Sequence, residues 1–119
     1  MAELLPSSFT SKMFMDYLNK SYIPAFSGEE VSLGDMGIGL WLVVIRFKGN
    51  NNVHRSVYIY SSDSVYAKNI TPIYTYNYNN NTSIEVKPNA SGVSGFTIKA
   101  TYSNLSADVS VNMYKMASY

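Results

Sequence analysis

Near the C-terminal end of the chain, apolar residues recur at every second position: Phe96, Ile98, Ala100 and Tyr102, then Ala107, Val109, Val111 and Met113. Side chains of an extended strand point alternately to opposite faces. This period therefore gathers each set on one face and leaves Thr97, Lys99, Thr101, Asp108, Ser110 and Asn112 on the other. A helix would scatter both sets around its circumference. The pattern requires strands with one dry and one wet face, and a second layer to cover the dry one.

The same signal extends upstream. Ile84 and Val86 oppose Glu85 and Lys87, and Pro88 to Gly92 turns the chain into the next strand. Ile38 to Phe47 (IGLWLVVIRF) is apolar on both alternating faces, which suits a central strand covered on each side. Gly49-Asn50-Asn51-Asn52 tolerates positive φ and predicts a hairpin into Val53 to Tyr60. Ser61 to Lys68 reads as a connector with room for a short strand, and Ile70 to Tyr78 as an extended segment closed by the Asn79-Asn80-Asn81 turn. Pro72 cannot donate a ladder hydrogen bond, so it predicts an edge position or a bulge.

Only the N-terminal region departs from this period. From Ser8 to about Lys20 the apolar residues Phe9, Met13, Tyr17 and Leu18 recur at helical spacing, with Ser7 or Ser8 available as an N-cap. Pro24 and Gly28 stop any continuation, and Ala25 to Gly37 reads as a connector. The expected fold is mainly β: an antiparallel β-sandwich or jelly-roll-like barrel of about six or seven strands with one short N-terminal helix. Residues 1–30 would form the helix and connector, a candidate attachment arm, and residues 31–119 the sandwich. The docking side of that helix would be Phe9, Met13 and Tyr17.

At 119 residues the chain fits one domain. Its formal net charge of +1 comes from scattered Lys and Arg, with no run that could neutralise a row of phosphates, so nucleic acid is not an expected partner. There is no cysteine for a disulfide, a thiolate metal site or a thiol nucleophile. Met1 to Pro6 carries acidic Glu3 where a secretory signal wants positive charge, and the apolar run at Ile38 to Ile45 falls well short of the ~18 residues of a membrane helix. Neither secretion nor membrane insertion is expected. Six Asn-x-Ser/Thr matches, at Asn19, Asn69, Asn80, Asn81, Asn89 and Asn104, then read as products of an Asn- and Ser-rich composition.

Catalysis would need a nucleophile with a base, paired carboxylates or a metal cluster converging in a pocket. His54, the single histidine, lies beside Arg55 at the start of a strand and reads as a surface residue, not an acid–base group. A hydrolase built on His54 and Asp63 is the weakest of the functional alternatives. Glu29, Glu30 and Asp35 lack the alternating carboxylates of a calcium loop. Gly34, Gly37 and Gly39 lack the strand-to-helix setting of a phosphate loop. No enzyme activity, cofactor or metal is expected.

The most unusual feature is tyrosine at every second residue: Tyr58 and Tyr60 in one predicted strand, Tyr74, Tyr76 and Tyr78 in another. Each set shares a face. If the two strands are neighbours, the rows could form one tyrosine-lined surface suited to protein contacts or to stacking on sugar rings. Alternatively the rings pack inside the sandwich with their hydroxyls at its rim.

The short helical leader, the GDMGIGLWLVVIRFKG stretch leading into the sheet, the Asn-rich hairpins and a strand running almost to Tyr119 together resemble the small β-sandwich accessory proteins of tailed-bacteriophage particles, among them fibre tips and auxiliary capsid or tail proteins. The resemblance implies a non-catalytic virion component, present in several copies and assembled in a bacterial cytoplasm. Its partners would be other virion proteins, copies of itself, or a host-surface glycan. It carries over no functional residue. The competing expectation is a carbohydrate-binding module in which Trp41 or the tyrosine rows stack on sugar.

Overall fold

The computed structural model describes residues 16–49, 52–78, 82–103 and 107–119. These form eight strands: β1 Asp16–Tyr22, β2 Glu30–Leu33, β3 Gly39–Gly49, β4 Asn52–Ser62, β5 Lys68–Tyr78, β6 Thr82–Pro88, β7 Phe96–Tyr102 and β8 Ala107–Ala117. They make two antiparallel sheets, one of five strands in the order β1-β8-β3-β4-β5 and one of three in the order β2-β7-β6. The mainly β, sandwich-like expectation holds.

The nested pairing of β1 with β8 and of β2 with β7 is the wrap of a jelly roll, in which a pair of strands folds over and divides between two sheets. The middle of the chain departs from that wrap, because β3, β4 and β5 run as a meander within one sheet. The five-stranded sheet is consequently wider than the three-stranded sheet facing it.

The core lies between the sheets and follows from the alternation. Trp41, Val43, Ile45 and Phe47 of β3, with Val109, Val111 and Met113 of β8, point inward against Phe96, Ile98 and Ala100 of β7. Tyr60 joins the layers directly. Its ring packs on Phe96 with centroids 5.7 Å apart, and its hydroxyl accepts a hydrogen bond of 3.0 Å from the Gly95 N–H. Trp41 is also buried, donating its indole N–H to the Gly37 carbonyl at 3.1 Å.

The N-terminal expectation needs correcting. Residues 16–20 of the segment predicted as a helix lie in β1, paired in register with β8 from Asp16↔Lys115 to Tyr22↔Val109. Helical spacing over so few residues is a weak signal, and a ladder of seven paired residues against β8 overrides it. Phe9 and Met13 lie outside the described residues; Tyr17 sits on β1. The connector predicted over Ala25 to Gly37 contains β2, whereas residues 63–67 form a turn rather than a strand.

Candidate interaction face on the five-stranded sheet

Pro72 decides where the tyrosines go. β4 and β5 pair with Val53↔Tyr78, Arg55↔Tyr76 and Val57↔Tyr74, but the ladder resumes one step out of phase with Tyr58↔Pro72 and Tyr60↔Ile70. The extra residue is Ile73, a bulge beside the proline that cannot donate to the ladder. A shift of one residue exchanges the faces of a strand. Tyr58 and Tyr60 therefore share the inner face with Ile70, whereas Tyr74 and Tyr76 share the outer face with Val57 and Arg55.

The strands that carry the two rows are neighbours, yet the rows do not merge. Tyr58 is buried, and Tyr60 is 0% exposed. Tyr74 and Tyr76 are 52% and 41% exposed, and the Arg55 guanidinium lies 5.6 Å from the centroid of the Tyr76 ring. Tyr78 closes the ladder opposite Val53. Inside, burial pushes the Tyr58 phenol up from its ordinary value.

Register extends this outer surface across the sheet. Leu42 and Val44 of β3 and Val57 and Ile59 of β4 are half-buried there, and among the described residues no sheet packs over them. At the far side Tyr17 and Tyr114 stack with centroids 5.0 Å apart, and the Tyr17 hydroxyl donates to Asn112 Oδ1 at 3.2 Å. Arg46, Lys48, Arg55 and Asp108 collect at the end near the β3–β4 turn. Beyond them, among the described residues, the register places no charged side chain on this face.

Four strands of eleven residues and one of seven, spaced about 4.8 Å apart at about 3.3 Å per residue, span on the order of 800 Å². A standard interface covers about 800 Å² per partner, so the whole face, its polar and charged residues included, has the extent of one. The sequence expectation of a central strand covered on both faces is met on one side of β3 only.

The remaining sequence candidates do not converge. His54 and Asp63 stand at opposite ends of β4, about 30 Å apart at 3.3 Å per residue. Glu29 accepts a hydrogen bond from the Ala25 N–H at 2.9 Å, while Glu30 lies 3.8 Å from Lys87. Among the described residues no three His, Asp or Glu side chains approach closely enough to hold a metal ion. A groove lined by Tyr22, Ile23, Asp108 and Val109 offers a carboxylate and a phenol, the latter pushed up to about 12 by burial and by nearby Glu29.

His54 is not the surface residue that its position beside Arg55 suggests. The register points it inward, where it is 2% exposed and its Nδ1–H donates to Asn77 Oδ1. Burial holds its pKa below the ordinary value of 6.5, outweighing the opposing effect of the Asn77 hydrogen bond. Below pH 6.5 the unfolded chain binds a proton that the folded chain refuses, so stability falls with pH until the lowered folded value is reached. Between pH 7.5 and 5.5 the expected loss is up to about 1.4 kcal/mol. Urea titrations at the two pH values should show it, and in His54→Gln this component of the pH dependence should disappear.

No protein-family model matches this sequence, and no curated protein is significantly similar to it.

Proposed function

We propose that this chain is a non-catalytic binding module that works through the outer face of its five-stranded sheet, making protein–protein contacts within a larger assembly. The observation that carries this reading is the outward row of Tyr74 and Tyr76 beside half-buried Leu42, Val44, Val57 and Ile59 on a face with charge at one end only. Tyrosine suits such a surface because it combines apolar area with a hydroxyl and loses little conformational freedom on contact.

The narrower proposal is an accessory structural component of a tailed-phage virion, and it rests on the sequence resemblance. In mass spectrometry of purified particles the chain should be a stoichiometric component. Tyr74→Ser combined with Tyr76→Ser should lower its incorporation at least about tenfold, the loss expected for two aromatic interface anchors, with circular dichroism unchanged. Absence from particles would remove the virion assignment, and full incorporation of the double variant would remove the face.

A glycan-binding reading is favoured by one observation, the neighbouring exposed rings of Tyr74 and Tyr76 on a single sheet face. Trp41 cannot serve it, since its ring is buried in the core. A glycan array that shows binding by the unmodified chain and none by the double variant would select this reading.

A further inference from the structure

Among the described residues four strands form the sheet margins, and three carry features that block further pairing. β1 presents Asp16 and Lys20, β2 has only four residues, and β6 carries Glu85, Lys87 and Pro88. Charges, short length and proline are the devices that keep a sheet from recruiting another strand. β5 differs. Its single charge, Lys68, lies at its start and donates to the Val65 and Ala90 carbonyls at 2.7 and 3.0 Å. Pro72 and the bulge blunt only the first half, leaving Ile73 to Asn77 uncharged and free of proline.

We infer that Ile73 to Asn77 of β5 pairs antiparallel with the same segment of a second copy of this chain, joining two five-stranded sheets across a two-fold axis near Thr75. This deepens the binding-module reading and rests on it. Pairing centred on Thr75 sets Tyr74 opposite Tyr76 of the second copy, and Tyr76 opposite its Tyr74. Opposed residues of an antiparallel pair share a face, so all four rings fall on the outer surface. The closed two-fold contact leaves neither copy with an open β5 margin.

Charge favours a second copy. The nearest cation, Arg55, sits one strand in from the margin, so the two Arg55 side chains would stand at least about 14 Å apart, beyond the ~8 Å screening length of physiological salt. Thr, Tyr and Ile are strong strand formers, and aromatic pairs across a ladder add to its stability.

The test is sedimentation equilibrium of the full chain. The expected result is a reversible dimer whose amides at residues 73–77 exchange slowly with deuterium. Thr75 shares the inner face with buried Ser56 opposite it, but at the sheet margin it is itself exposed and lies outside the hydrophobic core cluster, so a longer side chain there can reach solvent. Thr75→Lys should weaken the dimer at least about tenfold by setting two cations opposite each other, and Thr75→Glu should do the same. An equimolar mixture of the two variants should dimerise again.

A chain that stays monomeric up to millimolar concentration overturns the inference. So does a dimer indifferent to both variants, or a mixture that fails to recover. If a monomeric chain still incorporates into particles, the seam alone fails; if it is also absent from them, the virion assignment fails with it.

Discussion

Tyr60→Ser is expected to remove most of the stability of the fold. Deleting a fully buried aromatic ring costs roughly 4 kcal/mol, and leaving the buried Gly95 N–H without its acceptor adds about 1–3 kcal/mol. A domain of this size has about 5–15 kcal/mol in total. Tyr60→Phe keeps the ring against Phe96 and should show the hydrogen-bond part alone, about 1–3 kcal/mol. Tyr74→Ser and Tyr76→Ser, on the opposite face, should each stay within about 1 kcal/mol. Urea unfolding followed through the fluorescence of Trp41, the single tryptophan and a core residue, reads all four variants. Equal losses at Tyr60 and Tyr74 would contradict the assignment of the rows to opposite faces.

Gly95→Ala should cost about 3 kcal/mol or more. Gly95 has φ +91°, which costs an L-residue about 1–2 kcal/mol by itself. A Cβ there would also collide with the carbonyl oxygen of Leu33, a backbone atom held by the β2–β7 ladder. The same glycine donates its N–H to Tyr60, so relief of the collision would break the link between the sheets. Gly28 provides the control: its φ is also +91°, but a Cβ there meets nothing within 4 Å. Gly28→Ala should therefore show the conformational cost alone, about 1–2 kcal/mol. Chemical denaturation of both variants measures the difference, and matching losses would mean that the approach of Gly95 to Leu33 is not structural.

How far the fold can be read from the residues depends on whether local pattern or distant pairing decides each element. The alternation at Phe96 to Tyr102 and at Ala107 to Met113 marks β7 and β8 because one buried face is a local property. The Gly49 to Asn52 turn predicts the β3–β4 hairpin from backbone tolerance, and Pro72 predicts an edge position or a bulge, of which β5 has both. β1 is hidden, because Asp16 to Lys20 becomes a strand through pairing with β8, almost a hundred residues away in sequence. β2 is four residues among glycines, too short for any period to show.

The site was legible in part. Periodicity shows that Tyr74 and Tyr76 share a face, but which face depends on whether an extra residue stands between them and the Tyr58–Tyr60 ladder. Pro72 announces that irregularity without stating its parity. His54 escapes for a related reason: its neighbour Arg55 suggests solvent, and only the register with Phe47 and Asn77 turns it inward.

Hydroxyl-radical footprinting of the chain, free in dilute solution and within its assembly, tests the outer sheet surface most directly as the place where this protein makes its contacts. In the free chain Tyr74 and Tyr76 should oxidise readily while Tyr58 and Tyr60 stay protected, and assembly should protect the first pair without changing the second. Tyr74 and Tyr76 reacting equally in the free and assembled states, or Tyr58 and Tyr60 reacting in the free chain as readily as Tyr74 and Tyr76, would contradict it.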